Sequence, residues 1–336
     1  MIRFAIPSKG GLYDATLQFL EGCGLQVSRP NPRQYTAKIR SLPEAEVLLH
    51  RPEEIVHKVV VGDVDIGVTG LDLVRELAGD DPNVIVAEAN LGFGRSDLVM
   101  AVPEAWVDVQ SWADVADLAA EFASAGRQLR IATKYPNVVR TFCYQGGVNV
   151  FTLVNSQGAT EAAPVLGYAD LIADITETGT TLRENRLKIV AGTTILRSQA
   201  CLIAGRRALQ QDAAKLRTVQ TVLELIEARR RARGYAQVIA NVPGESAADV
   251  GQRVALSPDL GGLQGPTVAP VYDREDGALG AWFAVSVIVG ADRILPAVAQ
   301  LRALGSTGIV VLPLQYAFGE QSQAFAQLLE ALEYTG

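Results

Sequence analysis

Cysteine and histidine are scarce in this sequence of 336 residues, and their scarcity limits the chemistry open to the protein. The three cysteines are odd in number, far apart and without a CxxC pair: Cys23, Cys143 and Cys201. This distribution is typical of buried free thiols and argues against a disulfide framework or a zinc site made of paired cysteines. The only histidines are His50 and His57, so a histidine-based metal site or a serine–histidine–aspartate triad is not expected.

An excess of positive charge and long apolar runs are also lacking. The formal net charge is -7, which argues against a general nucleic-acid-binding protein. The longest apolar run, near Trp282–Val289, is far shorter than the ~18 residues that a membrane-spanning helix needs, and the N-terminal MIRFAIPSKGG has no signal-peptide core. We therefore expect a soluble, cytoplasmic protein with neither a membrane nor a nucleic-acid partner.

Short apolar runs alternate with segments of helical period as far as Gly205. The strand RFAIP precedes the helix LYDATLQFLEGCG, in which Leu12 and Leu20 belong to an apolar stripe and which Gly24 ends. A further helix, SWADVADLAAEFASAG, is expected to be capped by Ser111. Strands separated by helices of this length predict parallel βαβ units and an α/β fold.

Two segments of this region resemble each other. GDVDIGVTG (Gly62–Gly70) and GYADLIADITETG (Gly167–Gly179) share a G-x-x-D start, an apolar strand and a polar turn with glycine. Many parallel strands have this pattern, so the similarity can be coincidental. The other interpretation is a pair of similar lobes, each presenting the carboxyl end of a strand to a shared cleft, where open α/β sheets bind ligands.

The composition changes after Gly205. Arg206–Gly234 reads as one long charged helix, and the segments after it follow the order β, β, β, α, β. This order predicts a separate, small α+β domain, in which Asp273–Gly277 (DREDG) forms an exposed hairpin loop. The stretch EQSQAFAQLLEALEY could add one more helix.

The segment ADITETGTTLREN (Ala173–Asn185) joins a predicted strand to a predicted helix through hydroxyl residues and one glycine. The start of a helix leaves backbone N–H groups unpaired and carries the positive end of the helix dipole, so this loop could hold a phosphate. In the competing interpretation, Thr178 or Thr180 only caps the helix and Asp174 is solvated.

The run EAAPVLGYADLIADITETGTTL (Glu161–Leu182) is similar to the signature of the ATP phosphoribosyltransferase family, which catalyses the first step of histidine biosynthesis. Further segments that resemble the family occur in order along the chain: PSKGGLYD (Pro7–Asp14), HRPEEI (His50–Ile55), GDVDIGVTGLD (Gly62–Asp72), ATKYP (Ala132–Pro136), RSQACLIA (Arg197–Ala204), GLQGPTVAPV (Gly262–Val271) and LRALGSTGIVVLPL (Leu301–Leu314). The last two resemble the C-terminal regulatory domain of the family's long form.

The resemblance implies a magnesium-dependent transfer of a phosphoribosyl group from phosphoribosyl pyrophosphate to ring nitrogen 1 of ATP, with release of pyrophosphate. It also implies feedback inhibition by histidine at the C-terminal domain and a homo-hexamer or dimer. A two-lobed small-molecule-binding protein without catalysis is the alternative, and a different nucleotide-sugar transferase is a third possibility.

The resemblance also implies roles for individual residues. The phosphoribosyl pyrophosphate site would consist of Asp174, Glu177, Thr178, Gly179, Thr180 and Thr181. The ATP site would consist of Lys9, Gly10, Arg51, Gly70, Asp72, Thr133 and Tyr135. The catalytic residues would be Lys9, Asp174 and Glu161, and the histidine site would contain Leu263, Gly265, Thr267, Ser306 and Thr307. Mg²⁺ is the implied cofactor, without an assigned protein ligand.

Simpler explanations exist for some of these residues. Lys9 and Arg51 could be solvated loop residues, and Tyr135 could serve packing rather than stacking on adenine. The sequence also differs from the family where Gly11 replaces a common arginine and Gly265 replaces a frequent serine.

The implied fold is a two-lobed α/β catalytic region of the periplasmic-binding-protein type followed by a ferredoxin-like α+β domain. The expected limits are 1–91 with 196–232 for the first lobe, 92–195 for the second, and 233–336 for the regulatory domain.

Overall fold

A computed structural model describes residues 1–31, 33–156, 158–272 and 279–333. It divides into two compact units: Met1–Gln220 together with the segment that begins at Gln327, and Thr221–Ala326. The domain limits expected from the sequence differ from these bounds and stay a prediction. The loop predicted at Asp273–Gly277 lies outside the described residues.

Sixteen strands and eleven α-helices form the described part of the chain. The strands are β1 (Ile2–Pro7), β2 (Val27–Ser28), β3 (Thr36–Ile39), β4 (Ala45–His50), β5 (Ile66–Gly70), β6 (Val84–Glu88), β7 (Ser96–Pro103), β8 (Leu129–Thr133), β9 (Phe151–Asn155), β10 (Leu171–Thr176), β11 (Leu187–Ser198), β12 (Ala200–Gly205), β13 (Tyr235–Pro243), β14 (Thr267–Tyr272), β15 (Leu279–Gly290) and β16 (Thr307–Pro313). The helices are α1 (Gly11–Gly22), α2 (Pro52–Val61), α3 (Leu71–Leu77), α4 (Trp112–Ser124), α5 (Pro136–Gln145), α6 (Thr180–Glu184), α7 (Arg206–Gln211), α8 (Ala213–Ala232), α9 (Ala247–Ala255), α10 (Ile294–Ala303) and α11 (Gln323–Leu332).

The first lobe is built on a seven-stranded sheet with the order β2-β3-β4-β1-β5-β12-β6. β1 is parallel to both β4 and β5, and each of these three strands leads into a helix, as the alternating sequence pattern predicts. β12 enters from much later in the chain and runs antiparallel to β5 and β6. The centre of this sheet therefore places three parallel strand ends, and three helix starts, at one edge.

The second lobe is built on a five-stranded sheet with the order β11-β7-β10-β8-β9. β10, β8 and β9 are parallel, but β7 and β11 run antiparallel to their neighbours. The expectation of parallel βαβ units is therefore wrong for β7. This strand is separated from β8 by β10, which is parallel to β8 and antiparallel to β7. Local periodicity does not show which distant strand will be a neighbour.

Helix capping in the second lobe follows the sequence. Ser111 caps α4 as predicted: Ser111 Oγ accepts the Asp114 N–H at 3.4 Å, and Asp114 Oδ2 accepts the Ser111 N–H at 2.7 Å. This reciprocal pair satisfies two of the backbone donors at the start of the helix.

The long helix predicted after Gly205 is two helices, α7 and α8, separated at Asp212. Asp212 Oδ1 accepts the N–H groups of Ala214 at 2.9 Å and Lys215 at 3.2 Å, which starts a new helix. Asp212 itself has an extended backbone, so the apolar period continues across a real break.

The C-terminal domain is a ferredoxin-like βαββαβ fold. Its four strands have the order β14-β15-β13-β16, and each neighbouring pair is antiparallel. The sequence pattern misses α9, which Ser246 caps by accepting the Asp249 N–H at 3.1 Å and which buries Val250 and Val254. Glycine inside this short segment weakens its helical signal.

Burial agrees with the expected cysteine chemistry. Cys23, Cys143 and Cys201 are buried thiols outside any disulfide, as predicted, and burial raises the pKa of Cys143 and Cys201 to about 12. Across the described residues, no helix is both long and apolar enough to cross a lipid bilayer.

Candidate active site

Five of the seven predicted ATP-binding residues come together at one edge of the first sheet, and the other two lie in the second lobe. β1 lies between β4 and β5 and is parallel to both. Lys9 and Gly10 follow β1, Arg51 follows β4, and Gly70 ends β5 with Asp72 in the next helix. Lys9 and Arg51 are exposed. Because the three strands are parallel neighbours, the segments that follow them lie at the same edge of the sheet although they are far apart in sequence.

The predicted catalytic carboxylates lie in the second lobe, Asp174 near the carboxyl end of β10 and Glu161 in a short 3-10 helix, Thr160–Ala162. β8 and β10 are parallel neighbours with Thr133 opposite Ala173. Lys134 follows the end of β8, and Asp174 lies in β10, two residues before the last residue of that strand. Burial raises the pKa of the Asp174 carboxyl and the nearby Glu161 adds to this rise, whereas a backbone N–H and the charge of Lys134 oppose it. The structure therefore brings Asp174, Glu161 and Lys134 within electrostatic reach of one another.

The loop after β10 is held by its own hydroxyl groups. Gly179 has φ of +72°, a conformation that favours glycine, and its N–H donates to Thr176 Oγ1 at 2.9 Å. The Thr180 N–H donates to Thr178 Oγ1 at 3.4 Å, and the hydroxyls of Thr178 and Thr180 are 2.9 Å apart. Both threonines and Thr181 are exposed. The loop therefore combines hydrogen bonds to backbone N–H groups, as in helix capping, with exposed hydroxyl groups, as a phosphate site would need.

The helix that follows this loop is shorter than the sequence suggests. α6 has five residues, so few peptide dipoles are aligned and the expected contribution of the helix dipole is small. Any anion affinity of the loop must come from its hydroxyls, its backbone N–H groups and neighbouring side chains.

One of these neighbours, Arg183, was missed by the sequence interpretation. Its Nη1 donates to the Thr178 carbonyl at 3.2 Å, and its Nη2 donates to Thr180 Oγ1 at 3.2 Å. The i, i+3 spacing from Thr180 to Arg183 on a helix is the sequence signal that could have indicated this contact.

Asp72 and Tyr135, both predicted in the ATP site, are bonded to each other. The Tyr135 hydroxyl donates to Asp72 Oδ2 at 2.7 Å, and the Ser198 hydroxyl donates to Asp72 Oδ1 at 2.6 Å. Tyr135 is 4% exposed and its ring belongs to the core of the second lobe. Thr133 is also buried, and its Oγ1 accepts the Tyr135 N–H at 3.0 Å. This geometry favours packing over adenine stacking for Tyr135.

A second carboxylate of α3, Glu76, also joins the two lobes and was not predicted. Glu76 Oε2 accepts the N–H groups of Asn137 and Val138, each at 3.0 Å, at the start of α5. Asp72 and Glu76 are four residues apart, so they lie on the same face of α3. Burial raises the pKa of Glu76, although these two backbone bonds and Arg140 act in the opposite direction.

The residues predicted to bind histidine are spread across the C-terminal domain. Thr267 lies on β14 and Thr307 on β16, which are the two opposite edges of the four-stranded sheet. Leu263 is 40% exposed, and Gly265 has φ of +92°. Ser306 Oγ is buried without a hydrogen-bond partner in the described part of the chain. A single chain therefore does not bring Thr267 and Thr307 together.

No group of three or more histidine, cysteine, aspartate or glutamate side chains that could hold a metal ion occurs within the described ranges.

Comparison with known families decides the identity of the chain. The sequence model of ATP phosphoribosyltransferase matches residues 51–228, and that of the family's C-terminal domain matches residues 232–316. The chain belongs to the ATP phosphoribosyltransferase family. The match to the C-terminal domain assigns it to the long form.

Curated relatives agree with this assignment. ATP phosphoribosyltransferase 2, chloroplastic, from Arabidopsis thaliana is 39% identical over 334 residues, or 98% of this chain and 80% of that protein. The ATP phosphoribosyltransferase of Brucella anthropi is 46% identical over 223 residues, or 66% of this chain and 96% of that protein. Among solved structures, the ATP phosphoribosyl transferase (HisG:HisZ) complex from Thermotoga maritima has a TM-score of 0.51 and 27% identity, covering 68% of this chain and 96% of that chain.

Membership of the ATP phosphoribosyltransferase family makes the chain an enzyme, a transferase of histidine biosynthesis. The resemblance seen in Glu161–Leu182 is thereby confirmed, and the alternative of a binding protein without catalysis is set aside.

Proposed function

We propose that this enzyme transfers the phosphoribosyl group of phosphoribosyl pyrophosphate to ring nitrogen 1 of ATP and releases pyrophosphate. The committed step of histidine biosynthesis is the reaction that fits the family. The observation that carries the proposal is that Asp174 lies near the carboxyl end of β10, beside the hydroxyl-rich loop that follows this strand and within electrostatic reach of Glu161. Ligands bind at this end of the strands in open α/β sheets.

In this proposal, the donor binds at the second lobe. The exposed hydroxyls of Thr178, Thr180 and Thr181 hold the 5′-phosphate, and Gly179, with φ of +72°, provides the turn between them. Asp174 and Glu177 accept hydrogen bonds from the ribose hydroxyls. This role explains why two carboxylates lie next to a site for an anionic phosphate. Glu161 belongs to the same region and acts on Asp174 through its charge.

ATP binds at the first lobe in the same proposal. Lys9 and Arg51 are exposed cations at adjacent strand ends, suited to the phosphates of ATP. Gly10 and Gly70 are the N-cap residues of α1 and α3 and present their backbones at that edge. Asp72 and Tyr135 support this site by positioning it, since both are buried.

The chemistry asks little of acid–base side chains. The lone pair of the adenine nitrogen forms a bond to the anomeric carbon while the bond from that carbon to the pyrophosphate oxygen breaks. Holding the two reactants in line, and stabilising the charge that develops, accounts for most of the rate enhancement in such a reaction. Mg²⁺, when bound to the diphosphate, neutralises charge on the leaving group. The scarcity of histidine is compatible with this chemistry.

We further propose that histidine inhibits the enzyme at the C-terminal domain and that the chain forms a homo-oligomer, a hexamer or a dimer, in the cytoplasm. The match to the family's C-terminal domain supports a regulatory role. Ser306 Oγ is buried and has no hydrogen-bond partner among the described residues. It could therefore accept a hydrogen bond from the ammonium or imidazole group of the bound histidine.

The direct test is to incubate the purified chain with ATP, phosphoribosyl pyrophosphate and Mg²⁺. We expect an ultraviolet-absorbing adduct and pyrophosphate in equal amounts, and neither product when any one component is omitted. Pyrophosphate without the adduct would indicate a hydrolase or another acceptor and would contradict the proposal.

A further inference from the structure

Arg183, to which the family resemblance gives no role, makes hydrogen bonds to the loop after β10. The Arg183 guanidinium donates through Nη1 to the Thr178 carbonyl and through Nη2 to Thr180 Oγ1, both at 3.2 Å. One planar group thus connects the residues on both sides of Gly179. A Cβ atom at position 179 would lie 3.1 Å from Arg183 Nη1, so the glycine leaves room for this contact.

These bonds occupy acceptor positions on both hydroxyl oxygens. Arginine has only donors, so Thr180 Oγ1 must accept from Arg183. Thr178 Oγ1 accepts the Thr180 N–H, and the two hydroxyl oxygens are 2.9 Å apart. Each oxygen therefore already accepts one bond, and only one of the two protons is used between them. The other proton is left to donate outwards, which suits a phosphate because its oxygens are acceptors.

The charges around the loop also favour a role for Arg183 in phosphate binding. Asp174 and Glu177 flank the loop, and their carboxylates would repel a phosphate placed on Thr178–Thr181. Arg183 is exposed and holds its positive charge on the loop itself. A guanidinium beside the hydroxyls offsets this repulsion at short range.

We infer that Arg183 is a positioning residue for the phosphate of a phosphorylated ribose, and that it acts by orienting the hydroxyls of Thr178 and Thr180. This inference rests on the proposed function, which places the 5′-phosphate of phosphoribosyl pyrophosphate at the loop. It assigns the selectivity of the loop for a phosphate to a side chain outside the predicted site.

The test compares Arg183→Gln and Arg183→Lys with Arg207→Gln, a control at an exposed arginine of α7. KM is measured for both substrates, and calorimetry measures the Kd of ribose 5-phosphate. In Arg183→Gln we expect KM for phosphoribosyl pyrophosphate and Kd for ribose 5-phosphate to rise about tenfold, with KM for ATP changed less than about twofold. Arg183→Lys recovers only part of the loss, because a point charge cannot bond both partners at once. The control behaves as the wild type does.

The inference is overturned if Arg183→Gln binds ribose 5-phosphate within twofold of the wild type, or if KM rises equally for both substrates. A wild-type chain that binds ribose 5-phosphate but transfers nothing to ATP contradicts the proposed function alone. The calorimetric comparison then still decides the role of Arg183.

Discussion

Tyr135 illustrates how a single side chain can belong to the architecture of a site without facing its ligand. Its ring packs in the core of the second lobe, and its hydroxyl bonds to Asp72 of the first lobe. Burial and the Asp72 carboxylate raise the pKa of Tyr135, so the hydroxyl stays protonated and donates.

Replacing Tyr135 with phenylalanine separates these roles. Tyr135→Phe leaves Asp72 Oδ2 without this donor and should lower the free energy of unfolding by about 1–3 kcal/mol. KM for ATP should change less than about twofold, because the ring is retained and buried. Urea unfolding and steady-state kinetics measure the two effects. Tyr144→Phe is a matched control, since Tyr144 is 53% exposed. A large rise in KM for ATP at unchanged stability would instead favour a direct role in binding.

At the residue scale, the sequence predicts where a residue lies relative to its strand or helix better than it predicts that residue's hydrogen-bond partner. Lys9 and Arg51 follow strand ends as expected, because the end of an apolar run is a local signal, whereas β10 continues two residues beyond Asp174. The bond from Tyr135 to Asp72 joins residues 63 positions apart, and no local pattern contains it. Arg183 was missed for a different reason: the family signature ends one residue before it.

Among the elements, α3 and α5 connect the lobes through a cap. The α5 N–H groups that have no partner within their own helix are accepted by Glu76, a carboxylate of another lobe. The start of α5 follows the turn Thr133–Tyr135, so this cap also helps to fix one side of the candidate site.

Glu76 substitutions test that cap. Glu76→Ala removes the acceptor and should lower the free energy of unfolding by about 1–2 kcal/mol, whereas Glu76→Gln keeps one acceptor oxygen and should lose less. Urea unfolding of both variants near neutral pH gives the comparison. Equal losses in the two variants would contradict the capping role.

The same position predicts a dependence on pH. Burial raises the folded-state pKa of Glu76 above its usual value, so its contribution to stability is full below the usual pKa and is lost as the pH rises through the raised one. Glu76→Gln removes this titration, and the variant should therefore gain on the wild type as the pH rises from about 4 to 7. A stability difference that stays constant over this range would be inconsistent with the shift.

Elements were predicted where a strong period and a clear cap coincide, as in α4 with Ser111. The break at Asp212 and the helix α9 were missed, because an apolar period can cross a cap and a glycine can lie inside a helix. The antiparallel position of β7 was also beyond reach, because strand order is set by packing across the whole sheet.

At the scale of the whole molecule, the proposed inhibition by histidine is assigned to the C-terminal domain. Deleting the chain after Gly234 is an unsuitable test, since the deletion also removes Leu328 and Leu332, which are buried in the catalytic unit. The Arg206 guanidinium also donates to the Ala331 carbonyl there. Point substitutions in the full chain avoid this damage.

Thr267→Val and Thr307→Val should each weaken inhibition by histidine about tenfold, because each removes one hydroxyl from the proposed site. The readout is the histidine concentration that halves the activity, with Thr36→Val, an exposed threonine of β3, as the control. Two strands separate Thr267 from Thr307, so an equal effect of both would indicate a site completed by another copy of the chain. Unchanged inhibition in both variants would place the effector elsewhere.

The α/β fold of the first two hundred residues and the small C-terminal α+β domain could be predicted from the alternation of periods and the change after Gly205. The division into two lobes was only one of two interpretations of the internal similarity, and the family resemblance favoured it. The seven-, five- and four-stranded sheets could not be predicted, because their order depends on contacts between distant segments. The family resemblance supplied the expected site residues, and the structure supplied the hydrogen bonds that they make.

The central claim is that the loop after β10 holds the phosphoribosyl donor while ATP binds at the other sheet edge. The most direct measurement is KM for each substrate in the wild type and in a chain carrying Asp174→Asn with Thr180→Val. The account predicts a rise of at least about tenfold in KM for phosphoribosyl pyrophosphate, with KM for ATP changed less than about twofold. Equal increases for the two substrates, or no increase for either, would contradict it.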